Sequence, residues 1–146
     1  MTSIHKSALV RYSPAEMFTL VSDIDAYHEF LPWCSDSRVL QRDQDGIRAM
    51  IEISKGSLHK AFTTYNRNQP DKMIEIRLLE GPFKHLEGFW RFDPLGETAA
   101  CKVSLDLEFE FASKMIGLLV GPVFSQIANS LVDAFHQRAE QVYGKR

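Results

Sequence analysis

From Cys101 to Phe111, apolar side chains at Cys101, Val103, Leu105, Leu107, Phe109 and Phe111 alternate strictly with polar ones; from Ser113 the period lengthens to three or four residues and holds through Tyr143. Strict alternation gives a strand one buried face and one wet face. The later recurrence of Val120, Phe124, Ile127, Leu131, Phe135, Ala139 and Val142 gives a helix one apolar stripe, and Gly144 follows as a plausible C′ residue. A chain that ends this way must lay one long helix against one face of an antiparallel sheet.

The rest of the sequence supplies that sheet. Ser3 to Arg11 predicts a first strand, and Ser13-Pro14-Ala15-Glu16 then has the signature of a helix start, with Ser13 as N-cap, Pro14 at the first helical position and Glu16 completing a capping box. Asp25 to Cys34 predicts a second short helix stopped before Pro32. Strands are then expected at Ser37 to Arg42, around Ile47 to Ser54, at Leu58 to Arg67 with a weaker pattern, at Met73 to Glu80 and at Phe83 to Phe92. Asp43-Gln44-Asp45-Gly46, Lys55-Gly56, Gly81-Pro82 and Asp93-Pro94-Leu95-Gly96 punctuate them. The expected fold is α+β: a curved antiparallel sheet of about seven strands wrapped around a long C-terminal helix, in one domain spanning residues 1–146.

Composition narrows the function classes. With 17 Lys+Arg against 19 Asp+Glu and a net charge of -2, the chain is not a general polycation, and DNA binding is not expected. Two cysteines without a CxxC pair support neither a disulfide framework nor a thiolate zinc site, and a reducing cytosol is the simplest home. No signal peptide is predicted at the start, and the apolar run Met115 to Phe124 is well short of the ~20 residues a bilayer span needs. His5, His28, His59, His85 and His136 show no metal-ligand spacing, and no nucleophile motif or phosphate loop occurs. Neither catalytic nor metal residues are assigned. Asp106, Glu108 and Glu110 alternate onto the wet face of the last strand, and Cys34 has His28 near it only in sequence.

A curved sheet and one helix can enclose a pocket. The side chains expected to wall it are Phe62, Ile76, Leu78, Leu86, Trp90, Phe92, Leu105, Leu107 and Phe109 from the sheet, with Phe124, Ile127, Leu131 and Phe135 from the helix. The same residues serve equally as a close-packed core, and periodicity does not separate the two. Gly117, Gly121 and Pro122 weaken the helix start and predict a hinge or gate that touches a lipid surface, with a plain kink as the alternative. Lys55, Lys60, Arg67 and Lys72, with His59, leave a basic surplus over Asp71, either a solvated strand face or a contact for an acidic partner such as ribosomal RNA.

Several segments together resemble the polyketide cyclase and coenzyme Q-binding branch of the START-like, helix-grip superfamily, and within it the bacterial ribosome-association toxins. They are ALVRYSPAEMFTLVSDIDAYHEFLPWC (8–34), KAFTT (60–64), EGPFKHLEGFWRFDPL (80–95) and the end from FEF through GPVF to AFHQRAEQVYG (109–144). The resemblance implies a hydrophobic tunnel involving Trp33, Phe83, Trp90, Phe109, Phe124, Leu131 and Phe135. It also implies a ubiquinone-like isoprenoid ligand that supports respiration, without a resident cofactor. Among bacterial members it implies a translation regulator that binds the large ribosomal subunit and blocks subunit joining. The expectation is a non-enzymatic lipid binder, cytoplasmic or peripheral to the inner membrane, with the ribosomal role as the alternative.

Overall fold

The computed structural model describes Met1–Arg146. Strand β1 (Thr2–Val10) is followed by helix α1 (Pro14–Ser22), a 3-10 turn (Ile24–Ala26) and helix α2 (Tyr27–Phe30). Six further strands come next: β2 (Cys34–Arg42), β3 (Gly46–Lys55), β4 (Leu58–Gln69), β5 (Met73–Glu80), β6 (Phe83–Pro94) and β7 (Cys101–Phe111). Helix α3 (Lys114–Tyr143) closes the order. All seven strands form one antiparallel sheet in the order β1-β7-β6-β5-β4-β3-β2, so β1 crosses over to pair with the last strand and the rest is a meander.

Local chemistry explains the boundaries. Ser13 Oγ accepts from the Glu16 amide at 3.1 Å and Glu16 Oε1 accepts from the Ser13 amide at 2.9 Å, the reciprocal bonds of the expected capping box. Ser113 caps α3 in the same manner, accepting from the Ile116 amide at 3.2 Å. The second helix is shorter than expected, a 3-10 turn plus four residues, because Leu31 before Pro32 is already extended (φ -98, ψ 108). β2 starts at Cys34, earlier than alternation indicates, since a register shift between Cys34 and Asp36 disrupts the period-two pattern there.

The sheet coils around α3. Gly88 sits on the inner face of β6 with no room for a side chain: a Cβ there would lie 2.3 Å from the Asp106 carbonyl oxygen. Two apolar clusters fill the grip. One, under α1 and α2, contains Met17, Val21, Tyr27, Trp90, Val103 and Phe135. The other, toward the start of α3, is built around Phe83, Phe109 and Phe124. The buried stripe of α3 follows the expected positions through Ala139 except Leu131, which is only partly buried, and adds Ala128 and Val132, while Val142, in the last turn, is 48% exposed.

Candidate functional site

α3 packs chiefly against β1 and β7 and stands off from β3, β4 and β5. The gap is an apolar cavity bounded by 20 residues, of which 18 are hydrophobic. Within it the centre of a water-sized sphere can move through about 80 Å³. By the same measure one water needs ~10–15 Å³. The cavity is a narrow slot suited to a chain or a flat ring.

Of the residues expected to hold a ligand, Trp33, Phe62, Leu86, Trp90 and Leu105 line this slot, as do Phe124, Ile127, Leu131 and Phe135 of α3. The strand residues Ile76 and Leu107 line it too. Four expected residues do not. Phe92 is buried under α1, edge-on to Phe18 at 5.9 Å. Phe83 and Phe109 are taken up by an aromatic cluster with Phe124, at 4.9 and 4.7 Å between ring centroids, and Leu78 packs beside that cluster. These rings fill one end of the grip as a solid core.

Sequence reasoning missed the other contributors. Val21, Ile24 and Tyr27 bring the α1–α2 segment into the wall, and Thr64 and Asn66 are the two wall residues outside the hydrophobic set. Tyr27 donates its hydroxyl to the Val21 carbonyl, and burial pushes its phenol above the ordinary tyrosine range. Thr64 Oγ1 donates to Asn66 Oδ1 at 2.8 Å, and both side chains are buried.

The expected gate residues lie outside the wall. Gly117, Gly121 and Pro122 are absent from the wall, and α3 runs unbroken through Pro122. Gly117 and Gly121 instead face the Phe111 ring, where an added methyl would find ordinary contact at 3.6 Å. The side chains of Trp33 and Ile127 border both the slot and an outer groove formed with Pro32, Lys55, Gly56 and Val123, which marks the partition between cavity and surface. Leu118 and Met115 remain 80% and 72% exposed at the start of α3.

The four cations expected to form one patch are not brought together. Lys55 and Lys60 belong to the β3–β4 hairpin, whereas Arg67 and Lys72 lie at or beyond the opposite end of β4. Lys60 and Arg67 are seven residues apart in an extended strand, ~23 Å at ~3.3 Å per residue. Their odd separation points them to opposite faces, and Arg67 is paired in register with Glu75.

No activated nucleophile appears. Burial pushes the Cys34 and Cys101 thiols up to about 11. Cys34 Sγ donates to the Asp36 carbonyl at 3.3 Å, while His28 Nδ1 is 3.1 Å from Ser37 Oγ. His85, Glu87 and Glu108 offer a group of potential metal ligands on the outer face, with His85 Nε2 3.6 Å from a carboxylate oxygen of each; the carboxylates are about half exposed, as in ordinary surface ion pairs.

A long helix held in a coiled seven-stranded antiparallel sheet, with an apolar slot between them, is a START-like, helix-grip fold. Residues 10–136 match the family described as polyketide cyclase / dehydrase and lipid transport, and the chain belongs to that family. It is 48% identical over 143 residues to the ribosome association toxin RatA of Pseudomonas aeruginosa, covering 98% of this chain and 99% of that one. A mitochondrial coenzyme Q-binding protein COQ10 homolog B of Xenopus laevis is 28% identical over 144 residues, covering 97% of this chain and 59% of the relative. A START superfamily protein of Mycobacterium smegmatis has the same fold, with a TM-score of 0.76 at 21% identity over 96% of this chain and 98% of that one.

Proposed function

We propose that this protein is a cytoplasmic, toxin-type translation regulator that binds the large ribosomal subunit and hinders subunit joining. The observation that supports this is 48% identity, across 98% of the chain, to a relative named for ribosome association. With a net charge of -2, contact with ribosomal RNA must be local rather than a property of the whole surface. Purified protein added to dissociated subunits under joining conditions is expected to comigrate with the large subunit in a sucrose gradient and to reduce the joined particle. Migration only as free protein would refute the proposal. Because the cations occupy two regions, the charge reversals Lys60→Glu and Arg67→Glu distinguish them, and only the one in the contact should weaken comigration.

The slot favours a second role: non-enzymatic binding of a hydrophobic small molecule, ubiquinone or a related isoprenoid lipid, in the manner of a lipid chaperone. Its support is a wall in which 18 of 20 residues are hydrophobic. Each methylene withdrawn from water contributes ~0.8 kcal/mol. Met115, Leu118 and Leu119, exposed on the first turns of α3, suit transient contact with a membrane surface during loading.

A further inference from the structure

The second reading leaves open what distinguishes one apolar guest from another. The wall carries one polar spot, Thr64 and Asn66, two successive inward positions of β4. Both are buried, at 4% and 6% exposure. The Thr64 hydroxyl donates to Asn66 Oδ1 and thereby fixes the amide, a bond that leaves the Asn66 Nδ2 donor unused. An amide donor set in an apolar wall is costly unless an acceptor meets it, and an apolar core has no need of such a pair.

Its placement gives it direction. Asn66 lies in register between Ile47 of β3 and Ile76 of β5, in the apolar cluster closed over by Val21, Ile24 and Tyr27. The groove at Trp33 and Ile127 is bordered by Lys55 and Gly56, at the other end of β4. From Leu58 to Asn66 the strand runs eight residues, ~26 Å at ~3.3 Å per residue. The donor therefore lies at the closed end.

We propose that Thr64 and Asn66 form the recognition element of the slot, selecting apolar ligands that carry a neutral acceptor oxygen, a ring carbonyl being the simplest. The ligand enters oxygen first, accepts a hydrogen bond from Asn66 Nδ2, and leaves its apolar remainder between the sheet and Ile127. Pure hydrocarbons leave the amide unpaired. Ionised carboxylates are excluded because no cationic side chain belongs to the wall to compensate their desolvation. The inference rests on the hydrophobic-ligand reading.

Equilibrium dialysis with 2,3-dimethyl-1,4-naphthoquinone and 2,3-dimethylnaphthalene separates the two claims, and both quinone ring positions are blocked against thiol addition. The wild-type protein is expected to bind the quinone about tenfold or more tightly than the hydrocarbon, the usual effect of one buried hydrogen bond made or missed. Asn66→Leu is expected to remove that preference without weakening hydrocarbon binding. Equal wild-type affinities, or a preference that survives Asn66→Leu, would overturn the recognition role and leave the ligand reading intact. Binding of neither probe would overturn both. Should Asn66→Leu fail to fold, the isosteric Thr64→Val, which releases the amide from its fixed orientation, must reduce the preference; an unchanged preference there also overturns the role.

Discussion

Ala128 tests whether the space beside α3 is real. It is 1% exposed and its side chain borders the slot. Ala128→Leu adds three carbons directed at a region where sphere centres have about 80 Å³ of freedom. Three carbons at ~0.8 kcal/mol each, less ~0.5–1 kcal/mol of lost rotamer freedom, give about 1.5 kcal/mol of added stability. A close-packed interior would respond oppositely, losing ~1–3 kcal/mol to overpacking. Urea unfolding of protein refolded after solvent extraction, so that no copurified lipid contributes, reads the difference. With a slope of ~2 kcal/mol per molar, the midpoint should rise by about 0.7 M. A fall of similar size would refute the reasoning, because the slot would then already be filled by its own side chains. The same substitution should weaken binding of any ligand that occupies the slot.

Two further outcomes follow from titratable groups outside the slot. Glu16, whose carboxylate accepts from the Arg146 guanidinium at 2.6 and 2.8 Å, is held at about 2 against an ordinary 4.5, chiefly by that hydrogen bond. A depressed carboxyl stabilises the fold above its unfolded value and loses that contribution as pH falls through its folded value. Glu16→Gln should therefore be less stable than wild type near pH 7, and the gap should close between about pH 4.5 and pH 2; a gap independent of pH would contradict the assignment. Cys34 and Cys101, buried and raised to about 11, should both resist a disulfide-exchange reagent at pH 8 in the native protein and react once it is unfolded. Rapid native labelling of either thiol would show that its site is open.

The elements that proved readable from sequence are those in which one period runs uninterrupted. β7 and α3 appear where alternation and helical recurrence place them, and the Ser13 capping box forms because its chemistry is complete within four residues. β4 was the weakest strand pattern because Thr64 and Asn66 occupy inward positions usually held by apolar residues, so the local irregularity and the polar spot have one origin. Alternation identifies the inner face but not the height along a coiled sheet, which is why it groups Phe109 with wall residues, while Phe83 enters only through the resemblance; both rings fill the grip's other end. Val21, Ile24 and Tyr27 come from segments too short to show a period. The four cations illustrate a different limit, since closeness in sequence within a hairpin strand says nothing about a shared surface.

At its start α3 is joined to β7 through Ala112 and Ser113, with the Ala112 amide donating to the Pro82 carbonyl at 2.9 Å, and its side-chain fastenings gather at the carboxyl end. The Tyr12 hydroxyl donates to the Gly144 carbonyl at 2.7 Å, the Tyr143 hydroxyl donates to the Glu16 carbonyl at 3.1 Å, and Arg146 grips the Glu16 carboxylate. Elsewhere α3 touches the sheet through side chains that can slide without breaking a directional bond. The rod is thus held at both ends, by the chain itself at Lys114 and by hydrogen bonds at the carboxyl end. Ile127, thirteen residues from Lys114 and sixteen from Tyr143, lies near mid-span, where a gentle bow of the helix has its largest travel. Such a bow would draw Ile127 away from Trp33 while both ends stay made.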